Sequence, residues 1–162
     1  LKKQVEQLLI LKHFIMETKK IDAINSLIII NNDRSEGYMK AAEEAKDAEL
    51  KSLFTKFSQQ SKTFSSELRQ FIPNSEEPEH DETKNSGKLF RLWMDVKAAV
   101  SSNNRKAILS SCEFGEDAAK NEYKSVLEKS DEIPADALNV ITKQNAEILK
   151  SHDQIKSMRD AA

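Results

Sequence analysis

Glycine and proline are scarce in this chain, three of each in 162 residues. A fold built on tight turns, bulges or left-handed backbone draws heavily on both, so their scarcity points instead to long uninterrupted helices. A lone cysteine, Cys112, excludes an internal disulfide and a cysteine-ligated metal cluster. Its place on an apolar helical face marks it as a small buried hydrophobe rather than a nucleophile. Long hydrophobic runs are missing too: Leu8 to Leu11 and Leu27 to Ile30 are the longest, far short of a membrane span. Neither sign of charge dominates. With 25 basic and 27 acidic residues interspersed, the formal charge is −2, and no basic stripe is offered to nucleic acid. A phosphate-cradling glycine loop, a nucleophile elbow and a paired His–Glu zinc motif are all absent from the sequence. Serine–histidine catalysis could draw only on His13, His80 and His152.

What the chain does have is apolar seams at alternating spacings of three and four, the signature of helices facing a common core. Ile21, Ile24, Ile28, Asn31, Ser35, Tyr38, Ala42 and Ala45 form one. Leu50, Phe54, Phe57, Ser61, Phe64, Leu68 and Phe71 form a second, and Ile108, Cys112, Gly115, Ala119, Tyr123 and Val126 another. The last runs Leu138, Ile141, Asn145, Ile148, His152, Ile155. Most turn polar near their middle, and ferritin-like bundles place metal ligands at that depth.

Punctuation divides these seams into helices. The first is expected from about Lys20 to Lys46. Continued past Ala45, its seam would land on Glu49, Ser52 and Lys56, whereas the apolar row restarts at Leu50 with Asp47 placed to cap it. A tight reversal near 46–48 follows. Residues 73–87 are acidic and rich in breakers, hence a loop, and its cluster Glu76, Glu77, Glu79, His80, Asp81 and Glu82 reads as self-solvating. A short helix through Leu89, Trp93, Val96 and Val100 comes next, with Asn103 and Asn104 breaking it and capping a helix over Arg105 to Lys129. Pro134 opens the last helix, which runs to about Arg159. A connection of this length between the second and third long helices can carry the chain back along the bundle and leave those two parallel. The expectation is therefore an all-α, ferritin-like four-helix bundle whose long crossover carries a short extra helix.

Met16 opens a stretch that reads like a natural start, so residues 1–15 are expected to be an appendage and 16–162 the bundle domain. Lys2 and Lys3 before an apolar patch loosely suggest a signal peptide, but Lys12 and His13 interrupt it and no cleavage site follows. The cytoplasm is the expected location.

The runs Asn31-Asn32-Asp33-Arg34-Ser35-Glu36-Gly37-Tyr38, Leu89-Phe90-Arg91-Leu92-Trp93, Cys112-Glu113-Phe114-Gly115-Glu116-Asp117 and His152-Asp153-Gln154-Ile155-Lys156 come in a specific order and spacing. Together, over about Ile21 to Arg159, they resemble an uncharacterised bacterial family of ferritin-like four-helix-bundle proteins, a domain of unknown function. The resemblance implies a fold and a bacterial origin, with no established activity.

Di-iron bundles need two helices that each carry Glu-x-x-His. Here the second helix has no histidine, and Leu149 stands three before His152. What remains is a reduced site of Glu36, Glu113, Glu116 and His152 that could hold iron, manganese or zinc. The competing expectation has Glu36 and Glu113 solvated, Glu116 paired with a Lys or Arg, and His152 hydrogen-bonded to an Asn, Ser or Tyr. On that view Asn31, Ser35, Ser61, Asn145 and His152 form a structural polar layer that fixes helix register without a cofactor. Function then lies in association, as a homo-oligomer or with a protein partner. Phe90 and Trp93, adjacent on the short helix, are the candidate interface.

Overall fold

A computed structural model describes residues 2–73 and 86–162, without the side chains of 86–93. The described residues are helical with no strand. The helices are α1 (Lys2–Glu44), α2 (Ala48–Arg69), α3 (Ser86–Ser102), α4 (Arg105–Leu127) and α5 (Ala135–Asp160), with a 3₁₀ turn at Ser130–Glu132 before α5.

The expected boundaries hold where a side chain enforces them. Oδ1 of Asp47 accepts from the backbone N–H of Glu49 (2.9 Å) and Leu50 (3.1 Å), so α2 starts where the cap was read. Asn104 caps α4 through the N–H of Ala107 (3.0 Å), and Asn103 makes the break in the left-handed region, at φ 54°. Asparagine tolerates that region better than most residues. Pro134 sits one residue ahead of α5, at the cap.

Two boundaries move. Ser86 and Gly87, read as loop, belong to α3. The larger change is at the N-terminus, where α1 is continuous from Lys2 through the point at which the bundle helix was expected to begin. The apolar phase changes there, but a phase change does not end a helix. Stopping it takes a breaker or a cap, and the residues between Lys2 and Lys20 include no glycine or proline. Residues 2–19 are exposed, and burial begins at Lys20 and Ile21.

Hydrogen-bonded pairs give the helix directions. Residues 28 and 65, then 35 and 58, meet between α1 and α2; residues 123 and 144, then 117 and 152, meet between α4 and α5. Both pairs of helices are antiparallel. Asn31 meets Tyr123 and Arg34 meets Glu116, so α1 and α4 are antiparallel as well. It follows that α2 and α4 run in the same direction.

Two apolar clusters fill the interior. One gathers Ile24, Ile28, Phe64, Leu68, Tyr123, Ile141 and their neighbours. The other gathers Tyr38, Phe54, Phe57, Val96, Ile108, Cys112, Ile155 and theirs. The buried polar groups that follow stand at and between these two clusters.

Candidate functional site

Arg34 is the residue on which the interior turns. It is 2% exposed, yet a guanidinium taken out of water needs a counter-charge and a partner for each donor. Helices α4 and α2 supply the counter-charge and the acceptors for Nε and Nη1, and side chains of α5 and α1 brace those acceptors. From α4, Oε1 of Glu116 (itself 0% exposed) accepts from Nε of Arg34 at 3.0 Å, and Nη2 makes an off-axis ion-pair contact to the same oxygen at 2.9 Å. From α2, Ser61 Oγ (2.6 Å), Gln60 Oε1 (3.0 Å) and the Phe57 carbonyl (3.4 Å) accept from Nη1. From α5, the Ser151 hydroxyl donates to the same Gln60 oxygen (3.2 Å). Tyr38, one turn along α1, donates its hydroxyl to Oε1 of Glu116 at 2.5 Å. The guanidinium lies over the rings of Tyr38 (5.3 Å) and Phe57 (5.1 Å), which adds cation–π attraction.

A second relay lies one turn nearer the N-terminus of α1. Nδ2 of Asn31 donates to the Tyr123 hydroxyl (2.7 Å), which donates to Oε1 of Gln144 (2.8 Å). Nε2 of Gln144 donates to the Phe64 carbonyl (3.3 Å) and Glu67 Oε2 (2.8 Å). This relay too crosses α1, α4, α5 and α2. Ser35 and Ser58 close the α1–α2 face, the Ser58 hydroxyl donating to the Ser35 carbonyl at 2.8 Å.

Burial and charge act together on the titrating groups. Desolvation, then the Glu116 carboxylate, raise the Tyr38 phenol well above its usual range. The same two causes push the Cys112 thiol up, which keeps it protonated and inert. Burial raises the Tyr123 phenol. On α1, Asp33 is pushed to about 7 by desolvation and then by Glu36, and its buried Oδ2 has no hydrogen-bond partner.

Asn31, Ser35 and Ser61 stand in this polar interior. Asn145 does not: it is half-buried, and the buried amide of α5 is its neighbour Gln144. Ile141, Ile148, His152 and Ile155 of the expected row are buried, and Gln144 together with Ala137 and Ser151 widens the buried face on the side away from Asn145.

The four residues of the reduced metal site have separate partners. Glu36 is exposed and bonded to Lys40 (2.6 Å), Glu113 pairs with Arg159, Glu116 with Arg34, and His152 with Asp117 (Nε2 to Oδ1, 2.9 Å). Glu113 is thus paired rather than solvated, and the partner of His152 is a carboxylate rather than an Asn, Ser or Tyr. Among the described residues no three His, Cys, Asp or Glu side chains are grouped to hold a metal ion. The side chains of Phe90 and Trp93, and the acidic cluster at 76–82, lie outside the described residues.

Arg34 itself escapes a reading that treats arginine as surface. Its signal is the heptad Leu27, Arg34, Ala41, where both flanking positions are apolar and buried. What the arrangement can do chemically is limited by its charge balance. Glu116 is already answered by a cation fixed in the protein.

Comparison with known families places residues 19–129 in a match to the family described as Domain of unknown function (DUF2383). No curated protein matches the chain significantly. Among the described residues no helix is long and apolar enough to cross a membrane.

Proposed function

The chain belongs to this DUF2383 family, and from that premise we propose that it is a non-catalytic four-helix bundle of ferritin-like topology that acts by association with itself or with another protein. The parallel run of α2 and α4, joined by a long connection bearing α3, supports the topology. The observation that carries the functional reading is the Arg34–Glu116 pair. At the depth where a ferritin-like site would set a bridging carboxylate against cations, this chain sets it against its own guanidinium. A cytoplasmic location belongs to the same reading.

A second reading has one feature in its favour. Oε2 of Glu116 is buried without a hydrogen-bond partner, and a carboxylate oxygen of that kind can ligate a cation. In that case a reduced carboxylate–histidine site would hold iron, manganese or zinc. Elemental analysis of protein purified without chelator decides between them. The proposed function predicts no stoichiometric metal. Stoichiometric iron, manganese or zinc that disappears with Glu116→Gln overturns it.

A further inference from the structure

Two polar atoms of the central ion pair make no hydrogen bond among the described residues. Nη2 of Arg34 meets Oε1 of Glu116 at 2.9 Å, off the axis of its N–H groups, and Oε2 of Glu116 has no donor against it. Both residues are closed off from solvent, Arg34 at 2% exposure and Glu116 at 0%. An unanswered polar atom at that depth costs the full desolvation of the group, and protein interiors answer nearly all such atoms.

The two atoms are close enough to share one ligand. A carboxylate holds its two oxygens about 2.2 Å apart, so Oε2 lies no more than about 5 Å from Nη2, which stands 2.9 Å from Oε1. A molecule making a hydrogen bond of about 2.8 Å to each can bridge that separation. Small residues flank Glu116 on α4, Gly115 just before it and Ala119 one turn on, both buried, so this wall of the interior takes up little volume.

Charge selects the occupant. The bridging group must accept from a guanidinium and donate to a carboxylate at once. A cation suits Oε2 but is repelled by Arg34, and an anion suits Nη2 but is repelled by Glu116. The pair is neutral as a whole, and water is the smallest neutral molecule that both accepts and donates. Water placed there keeps one hydrogen for a further acceptor, and Oδ1 of Asn31, one turn before Arg34 on α1, is buried and without a hydrogen bond. We propose that Nη2 of Arg34 and Oε2 of Glu116 form a binding site for one buried water, which accepts from the guanidinium and donates to the carboxylate. The site does not depend on the associating role proposed above.

A crystal structure of the wild type, from protein purified without chelator and at a resolution that shows ordered water, tests it. The expected result is a single density peak about 2.7–3.2 Å from both Nη2 of Arg34 and Oε2 of Glu116. The absence of any peak overturns the proposal and leaves the associating role standing. A peak about 2.0–2.3 Å from Oε2 with an anomalous signal assigns the position to a metal ion, and overturns both. Oxygen-17 relaxation dispersion gives a second readout in solution, because it counts water molecules held for longer than the protein takes to tumble. The Arg34→Met/Glu116→Leu variant should hold one fewer than the wild type. An equal count in the two proteins, or none in the wild type, overturns the proposal.

Discussion

His152 packs at the edge of the polar interior, with Nε2 facing Asp117 (2.9 Å) and Nδ1 facing Asp153 (3.1 Å). If its role is to hydrogen-bond, an amide preserves most of it. His152→Gln should lose little stability, whereas His152→Leu should cost on the order of 1 kcal/mol in chemical denaturation, since the hydrogen bond to Asp117 is lost while Asp117 keeps Lys120. Asp33 gives a pH test. Its carboxyl titrates near 7 when folded, against 3.8 in its ordinary state, because burial and Glu36 disfavour its charge. The folded chain therefore holds the proton more tightly than the unfolded one. This contribution is fully present below about pH 4, declines as pH rises through the window, and is gone above 7. Asp33→Asn should gain on the wild type across that interval by on the order of 1 kcal/mol after allowance for solvent screening. Parallel pH–stability curves for the two proteins would show that Asp33 is not the group responsible.

Among the elements, α1 separates what could be read beforehand from what could not. The bundle portions of α1 and α2 were legible because Ile24, Ile28, Tyr38, Leu50, Phe54 and Phe57 recur at helical spacing, and Asp47 caps α2 where the phase breaks. The continuity of α1 back to Lys2 was not, since a seam reports which side is buried and carries no signal where a helix runs on exposed. The polar interior was half legible. Asn31, Ser35 and Ser61 interrupt apolar seams and so announce themselves. Arg34, Gln60 and Gln144 occupy neighbouring rows, and only the packing of four helices decides that those rows also face inward. Removal of residues 1–15 should leave the bundle's melting transition within a few degrees of the full chain, because residues 2–15 contribute nothing to either core cluster. A large drop in melting temperature would show that this part of α1 packs on its own bundle. The cap can be tested alone: Asp47→Ala should cost about 0.5–2 kcal/mol in denaturant unfolding.

For the whole molecule, the account comes down to one buried ion pair joining helices that are distant in sequence. A guanidinium and a carboxylate buried together are stabilised by each other, and either one alone is a liability. Arg34 also spends donors on Gln60 and Ser61, so the register of α2 against α1 and α4 depends on it. A pair of this kind confers specificity of packing more than net stability, because well-packed apolar residues of similar volume can replace it at little cost. The most direct measurement is a double-mutant cycle in denaturant unfolding with Arg34→Met, Glu116→Leu and both together. Each single change should cost about 3–5 kcal/mol, and the double variant should recover most of that loss. Additive losses, or an Arg34→Met protein that keeps its stability and binds a metal ion at Glu116, would contradict the account.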